Sequence, residues 1–138
     1  MTQLASVLKA LADSSRLRIV NVLSHRGVCV CDLQTVLGLS QPFISRHLAC
    51  LRKVGVVRYQ REGPRVCYSL TDGGPLAHAV QSLLRELLPL SQALQADLER
   101  LGEYGRSGRL KSYAFWPEVG PAARPAEADS EPPASKAA

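Results

Sequence analysis

Gly38 and Ser40 constrain the architecture of this chain more tightly than any other pair of residues. An apolar helical pattern runs from Val28 to Leu37 and stops at Gly38. A second one begins behind Ser40, with Pro42 in its first turn. Glycine ends helices by entering the left-handed region, serine caps their N-termini, and proline is tolerated where the amide proton has no intrahelical acceptor. The two segments read as a helix-turn-helix, which works only if its helices hold a fixed relative position.

The flanking sequence supplies the rest of a small fold. Leu4, Val7, Leu8 and Leu11 recur at helical spacing and predict a helix over about Thr2–Ala12. Asp13 then caps a second helix carrying Leu17, Ile19, Val20, Val22 and Leu23, with Gly27 closing it. On the helix behind Ser40, the apolar residues Ile44, Leu48 and Leu51 share one face, and Gly55 ends it. The segments 56–61 and 65–70 alternate like paired strands joined by Glu62-Gly63-Pro64, a hairpin with a basic tip. A last helix is expected from about Pro75 to Leu101, opened by Thr71 and Asp72 and kinked at Pro89. Its nine leucines exceed what so small a domain can cover, which points to a dimer.

The expected fold is therefore mainly α with a small β-hairpin, a winged helix-turn-helix dimerised through its outer helices. Residues 1–101 form that domain and 102–138 a tail. From about residue 117 the tail is rich in Pro, Ala, Glu and Ser and is expected to be disordered. No apolar run reaches the roughly 18 residues that span a bilayer, and Met1–Ala12 lacks the form of a signal peptide, so no membrane partner and a cytoplasmic location are expected.

The charge distribution locates a candidate nucleic-acid interface. The formal net charge is +5, and between Ser40 and Leu70 six basic residues face the single acid Glu62. The first turns behind Gly38 offer Ser40, Gln41, Ser45, Arg46 and His47, with Arg52 further along. Gln pairs with adenine and Arg with guanine in the major groove, Ser with bases or phosphates. A His beside an apolar helix face is as often a packing residue as a base reader. Arg61 and Arg65 flank the hairpin tip and suit backbone or minor-groove contacts that position the protein.

Four cysteines complete the inventory: Cys29, Cys31, Cys50 and Cys67. In a reducing compartment they are expected to be thiols that bind a ligand or pack, not disulfides. Cys29 and Cys31 bracket one residue at the start of the predicted third helix, and thiolates bind thiophilic metals and metalloids. On a helix, residues two apart point about 200° from each other. Both could reach one atom only if that helix start unwound.

The run Ala10 to Ile19, the box Cys29-Val30-Cys31-Asp32-Leu33, the run Leu39 to Leu48 and the run Leu51 to Val57 together resemble the ArsR/SmtB metalloregulatory repressors, over about Leu4–Leu101. The resemblance implies a homodimeric repressor, not an enzyme, that binds operator DNA when empty and releases it when loaded with inducer. Within that family the box is similar to the inducer sites of arsenite and antimonite sensors and of cadmium and lead sensors. The latter also use N-terminal cysteines, absent here before Cys29, and the zinc-type site needs carboxylate and His ligands at fixed spacing on the last helix, where His78 is the only histidine and Asp97 and Glu99 lie far along. The resemblance thus implies As(III), with Sb(III) as a second fit, held by Cys29 and Cys31. It departs at Gln34, where arsenite sensors often carry a third cysteine. Cys50 and Cys67 are alternative third ligands, though each reads more simply as a small packing residue. A thiol redox or persulfide sensor on the same scaffold, with Cys31 and Cys50 as one pairing, and a cadmium or lead sensor remain open alternatives. No phosphate loop, strand-helix-strand unit or catalytic His/Asp set supports an enzyme.

Overall fold

The computed structural model describes residues 2–71 and 74–110. The chain forms α1 (Thr2–Leu11), α2 (Ser14–Leu23), β1 (Val28–Cys29), α3 (Val30–Leu37), α4 (Gln41–Lys53), β2 (Val57–Glu62), β3 (Arg65–Leu70), α5 (Pro75–Leu87) and α6 (Gln92–Arg106), with a single 3-10 turn at Leu88–Leu90. This is a winged helix-turn-helix.

The caps expected at Asp13, Gly38 and Ser40 are present. Asp13 Oδ2 accepts from the Arg16 amide (3.0 Å) at the start of α2, and Ser40 Oγ accepts from the Phe43 amide (3.4 Å) at the start of α4. Gly38 caps α3 at φ 70°, a left-handed conformation that costs glycine little. Between these caps Ile19, Leu23, Leu33, Ile44, Leu48 and Leu51 interlock as a fully buried core.

Four expectations need correction. The third helix does not begin at Val28. Val28 and Cys29 form β1, paired antiparallel with β3 through Val28↔Tyr68 and Cys29↔Cys67, so the wing is a three-stranded sheet of order β1-β3-β2. The second helix ends at Leu23 with Ser24 as its cap, before Gly27. The single kinked last helix is two helices: Pro89 falls in the 3-10 turn, and Ser91 starts α6 by accepting from the Leu94 amide (3.2 Å). Gly74, not Thr71 or Asp72, is the N-cap of α5. Asp72 and the tail from residue 111, with its expected disorder, lie outside the described residues.

The second of these helices packs inward. α6 lies against α2 and α3, burying Leu94, Asp97, Leu101 and Tyr104. Leu4 and Leu8 of α1, Leu83 of α5 and Leu90 of the turn stay exposed. Among the described residues no helix is long and apolar enough to cross a membrane.

Candidate functional site

The N-terminal end of α4 gathers the expected recognition residues. Ser40 and Arg46 are exposed, and Gln41 Nε2 donates to Ser45 Oγ (2.8 Å), so these two amide and hydroxyl groups are already ordered against each other. The Arg46 guanidinium lies 5.7 Å from the Phe43 ring centroid. His47 is engaged inside the molecule: its Nδ1 accepts from the Arg16 guanidinium (3.3 Å), stands 3.8 Å from Asp13, and its ring meets Phe43 edge-on at 4.5 Å. It pins α4 to the corner between α1 and α2. Arg52 stacks over Tyr59 at 4.7 Å, tying α4 to the wing. Arg61 is exposed near the hairpin tip and Arg65 half-buried across from it. The helix end and the wing tip thus present separate basic features, as a groove reader with a flanking wing requires.

The thiols are arranged differently from expectation. Cys29 is fully buried at the end of β1 and serves as the N-cap of α3 in extended conformation (φ −76°, ψ 155°). Of the two box cysteines only Cys31, half-exposed in the first turn, is helical. The opposed directions of two helical residues two apart therefore do not describe this pair. Cys29 and Cys67 form a disulfide across 38 residues, which corrects the expectation of unbridged thiols and the reading of Cys67 as simple packing. Cys31 and Cys50 are outside that bond, and Cys50 packs half-buried against the core. Among the described residues no three His, Cys, Asp or Glu side chains already form a metal cluster.

The residues next to the box are locked. Asp32 is buried in the first turn of α3, where a negative charge suits the helix dipole, and it accepts from Tyr104 Oη at 2.9 Å. Burial, and then this bond to a carboxylate, raise the Tyr104 phenol above its ordinary value. At the other end of α3, Arg100 Nε donates to the Val36 carbonyl (2.8 Å) and Arg18 Nη2 to the Leu37 carbonyl (3.0 Å). Both arginines also hold the buried Asp97, Arg18 in a two-point grip of 2.9 and 3.0 Å. The hydrogen bond from Arg18 to Asp97 raises the guanidinium value further. Asp97, the carboxylate that a last-helix metal site would use, is thus already committed, and His78 lies on α5 instead.

Sequence reasoning missed Cys67 as the partner of Cys29 because a two-residue strand carries no periodic signal. It missed Tyr104 because α6 outlasts the expected helix end at Leu101.

Four similarities bear on this arrangement. The sequence signature of the bacterial regulatory proteins of the arsR family spans residues 13–59, from the cap of α2 into β2. The arsenical resistance operon repressor of Escherichia coli K12 is 41% identical over 105 residues, 75% of this chain and 89% of that protein. A transcriptional repressor SmtB homolog of Synechocystis is 40% identical over 85 residues, 62% of this chain and 61% of that protein. The solution structure of a homodimeric winged helix-turn-helix DNA-binding domain from Mycobacterium bovis superposes with a TM-score of 0.56 at 31% identity, covering 66% of this chain and 86% of that one.

Proposed function

This chain belongs to the arsR family of bacterial regulatory proteins, which control transcription and are not enzymes, and from that premise we infer that it is a homodimeric repressor of arsenic response. In this reading it holds operator DNA when empty and releases it on taking up As(III), or Sb(III), through Cys29 and Cys31. The observation that carries the proposal is the position of the thiol box. Cys31 stands in the first turn of α3, and α3 packs directly on α4, the helix that carries the groove-facing residues.

Soft thiolate donors fit a thiophilic metalloid and fit oxygen-seeking cations poorly. Ser40, Gln41, Ser45 and Arg46 read the major groove, and Arg61 and Arg65 hold the backbone beside it. His47 and Arg52 keep α4 in register with the corner and the wing. The exposed Leu4, Leu8, Leu83 and Leu90 favour cover by a second copy, which sets two α4 helices at a fixed spacing. An inducer weakens DNA binding only if it binds the released conformation better. Ligation at the start of α3 supplies that difference by moving the support on which α4 rests.

The test uses the reduced protein and a DNA site selected by it from a random library, with binding followed by fluorescence anisotropy. Cys29→Ser and Cys31→Ser are expected to bind DNA normally and to ignore arsenite. Normal arsenite release by both variants overturns the assignment.

The Cys29–Cys67 disulfide favours a second reading, a repressor that senses thiol oxidation. Under that reading, peroxide alone changes DNA affinity in step with disulfide formation seen by mass spectrometry, and arsenite does nothing to the reduced protein.

A further inference from the structure

The fold brings the sulfur of one box cysteine, Cys29, into contact with that of a cysteine outside the box, Cys67. Antiparallel pairing of β1 with β3 sets Cys29 directly opposite Cys67, and the two are bonded. Both are buried. Cys31 follows two residues later, on a helix that itself packs against β1 and β3. We propose that Cys67, from the wing, is the third thiolate of the inducer site, so that one trivalent arsenic atom is held by Cys29, Cys31 and Cys67. This rests on the arsenic reading above.

Pyramidal As(III) takes three donors, and the box supplies two. The place where a third thiol would follow along α3 is Gln34, whose amide offers no thiolate. Cys67 fills the vacancy from another element because β-sheet register, not helical spacing, delivers it. Cys50 on α4 packs half-buried against the core and is bonded to neither Cys29 nor Cys67.

The chemistry balances without any change of oxidation state at arsenic. Three As–O bonds of arsenous acid break and three As–S bonds form. The three thiol protons leave with the hydroxides as three waters. The bonded form of Cys29 and Cys67 cannot take part. It becomes competent when a dithiol reductant gives up two electrons and two protons, its own sulfurs closing into a disulfide. Arsenic bound this way ties the wing strand β3 to the start of α3. Inducer then acts at once on the support of α4 and on the strand that carries Arg65.

The experiment measures arsenic K-edge absorption on protein reduced with a phosphine and freed of small thiols. Wild type is expected to show three sulfur neighbours. Cys50→Ser is expected to keep three at one arsenic per chain, and since the chain has four cysteines these can then only be Cys29, Cys31 and Cys67. Cys67→Ala is expected to drop to two, with an oxygen neighbour in place of the third. The Cys50→Ser result stands even if Cys67→Ala does not fold. Two sulfur neighbours in wild type, a sulfur lost in Cys50→Ser, or three retained in Cys67→Ala overturns the role of Cys67 while leaving the two-thiol reading in place. Wild type that takes up no arsenic overturns both.

Discussion

The phenol of Tyr104 donates to Oδ1 of Asp32 across 2.9 Å, joining α6 to the residue immediately after Cys31. At the far end of the same helix Arg18 and Arg100 hold the Leu37 and Val36 carbonyls, and both arginines converge on Asp97 of α6. α3 is therefore gripped from α6 at its first and last turns. A strain introduced at the thiol box has two routes outward, one through the α3–α4 contact and one into α6.

Removing the Tyr104 hydroxyl tests the first grip. Tyr104→Phe keeps the ring and takes one partner from a buried carboxylate, a loss of about 1–2 kcal/mol by chemical denaturation. The phenol also carries a pH signature. It ionises at higher pH in the folded chain than its ordinary value of about 10, so the stability it lends is complete below pH ~10 and is lost as pH rises through the folded value. The difference in melting temperature between wild type and Tyr104→Phe should hold steady at neutral pH and close in strong alkali.

Asp97 tests the second. Asp97→Asn leaves two guanidinium groups facing a neutral amide where a fully buried carboxylate stood. Losing one partner of a buried pair costs about 3–5 kcal/mol, and the partial exposure of Arg18 and Arg100 reduces this to about 2–3. A lower urea midpoint with unchanged slope is expected. A midpoint equal to wild type would show that the two arginines are held by the α3 carbonyls alone.

Gly38 sits at φ 70°, and a Cβ placed there meets no atom within 4 Å. Any penalty on substitution is then a backbone one. Gly38→Ala is expected to cost about 1–2 kcal/mol, with Gly38→Asn milder because asparagine tolerates the left-handed region. Equal losses for the two variants would point to a steric cause instead.

At the DNA surface Arg46 and Arg61 should separate by salt dependence. Arg46→Ala is expected to weaken the selected site by about 1–3 kcal/mol and to relax preference at one base. Arg61→Ala should weaken all sequences alike and lower the slope of log affinity against log salt by about 1. Both proteins should melt as wild type does, since Arg46 and Arg61 are exposed.

Local signals determined most of the framework. The caps Asp13 and Ser40, the terminator Gly38 and the apolar spacing of Ile44, Leu48 and Leu51 act locally along the chain, so they place the start of α2, the end of α3 and the body of α4 from sequence alone. The concentration of basic residues between Ser40 and Leu70 is likewise a property of the sequence. Contacts between distant segments were decided only by the tertiary structure. Cys29 left its expected helix for a two-residue strand because β3 offered an edge to pair with, and that pairing, not any spacing in the chain, set it opposite Cys67. α6 turned inward at Ser91 and brought Asp97 and Tyr104 to α2 and α3, 79 and 72 residues away. Burial and register arise from the whole packed chain, and a window of sequence carries no record of them.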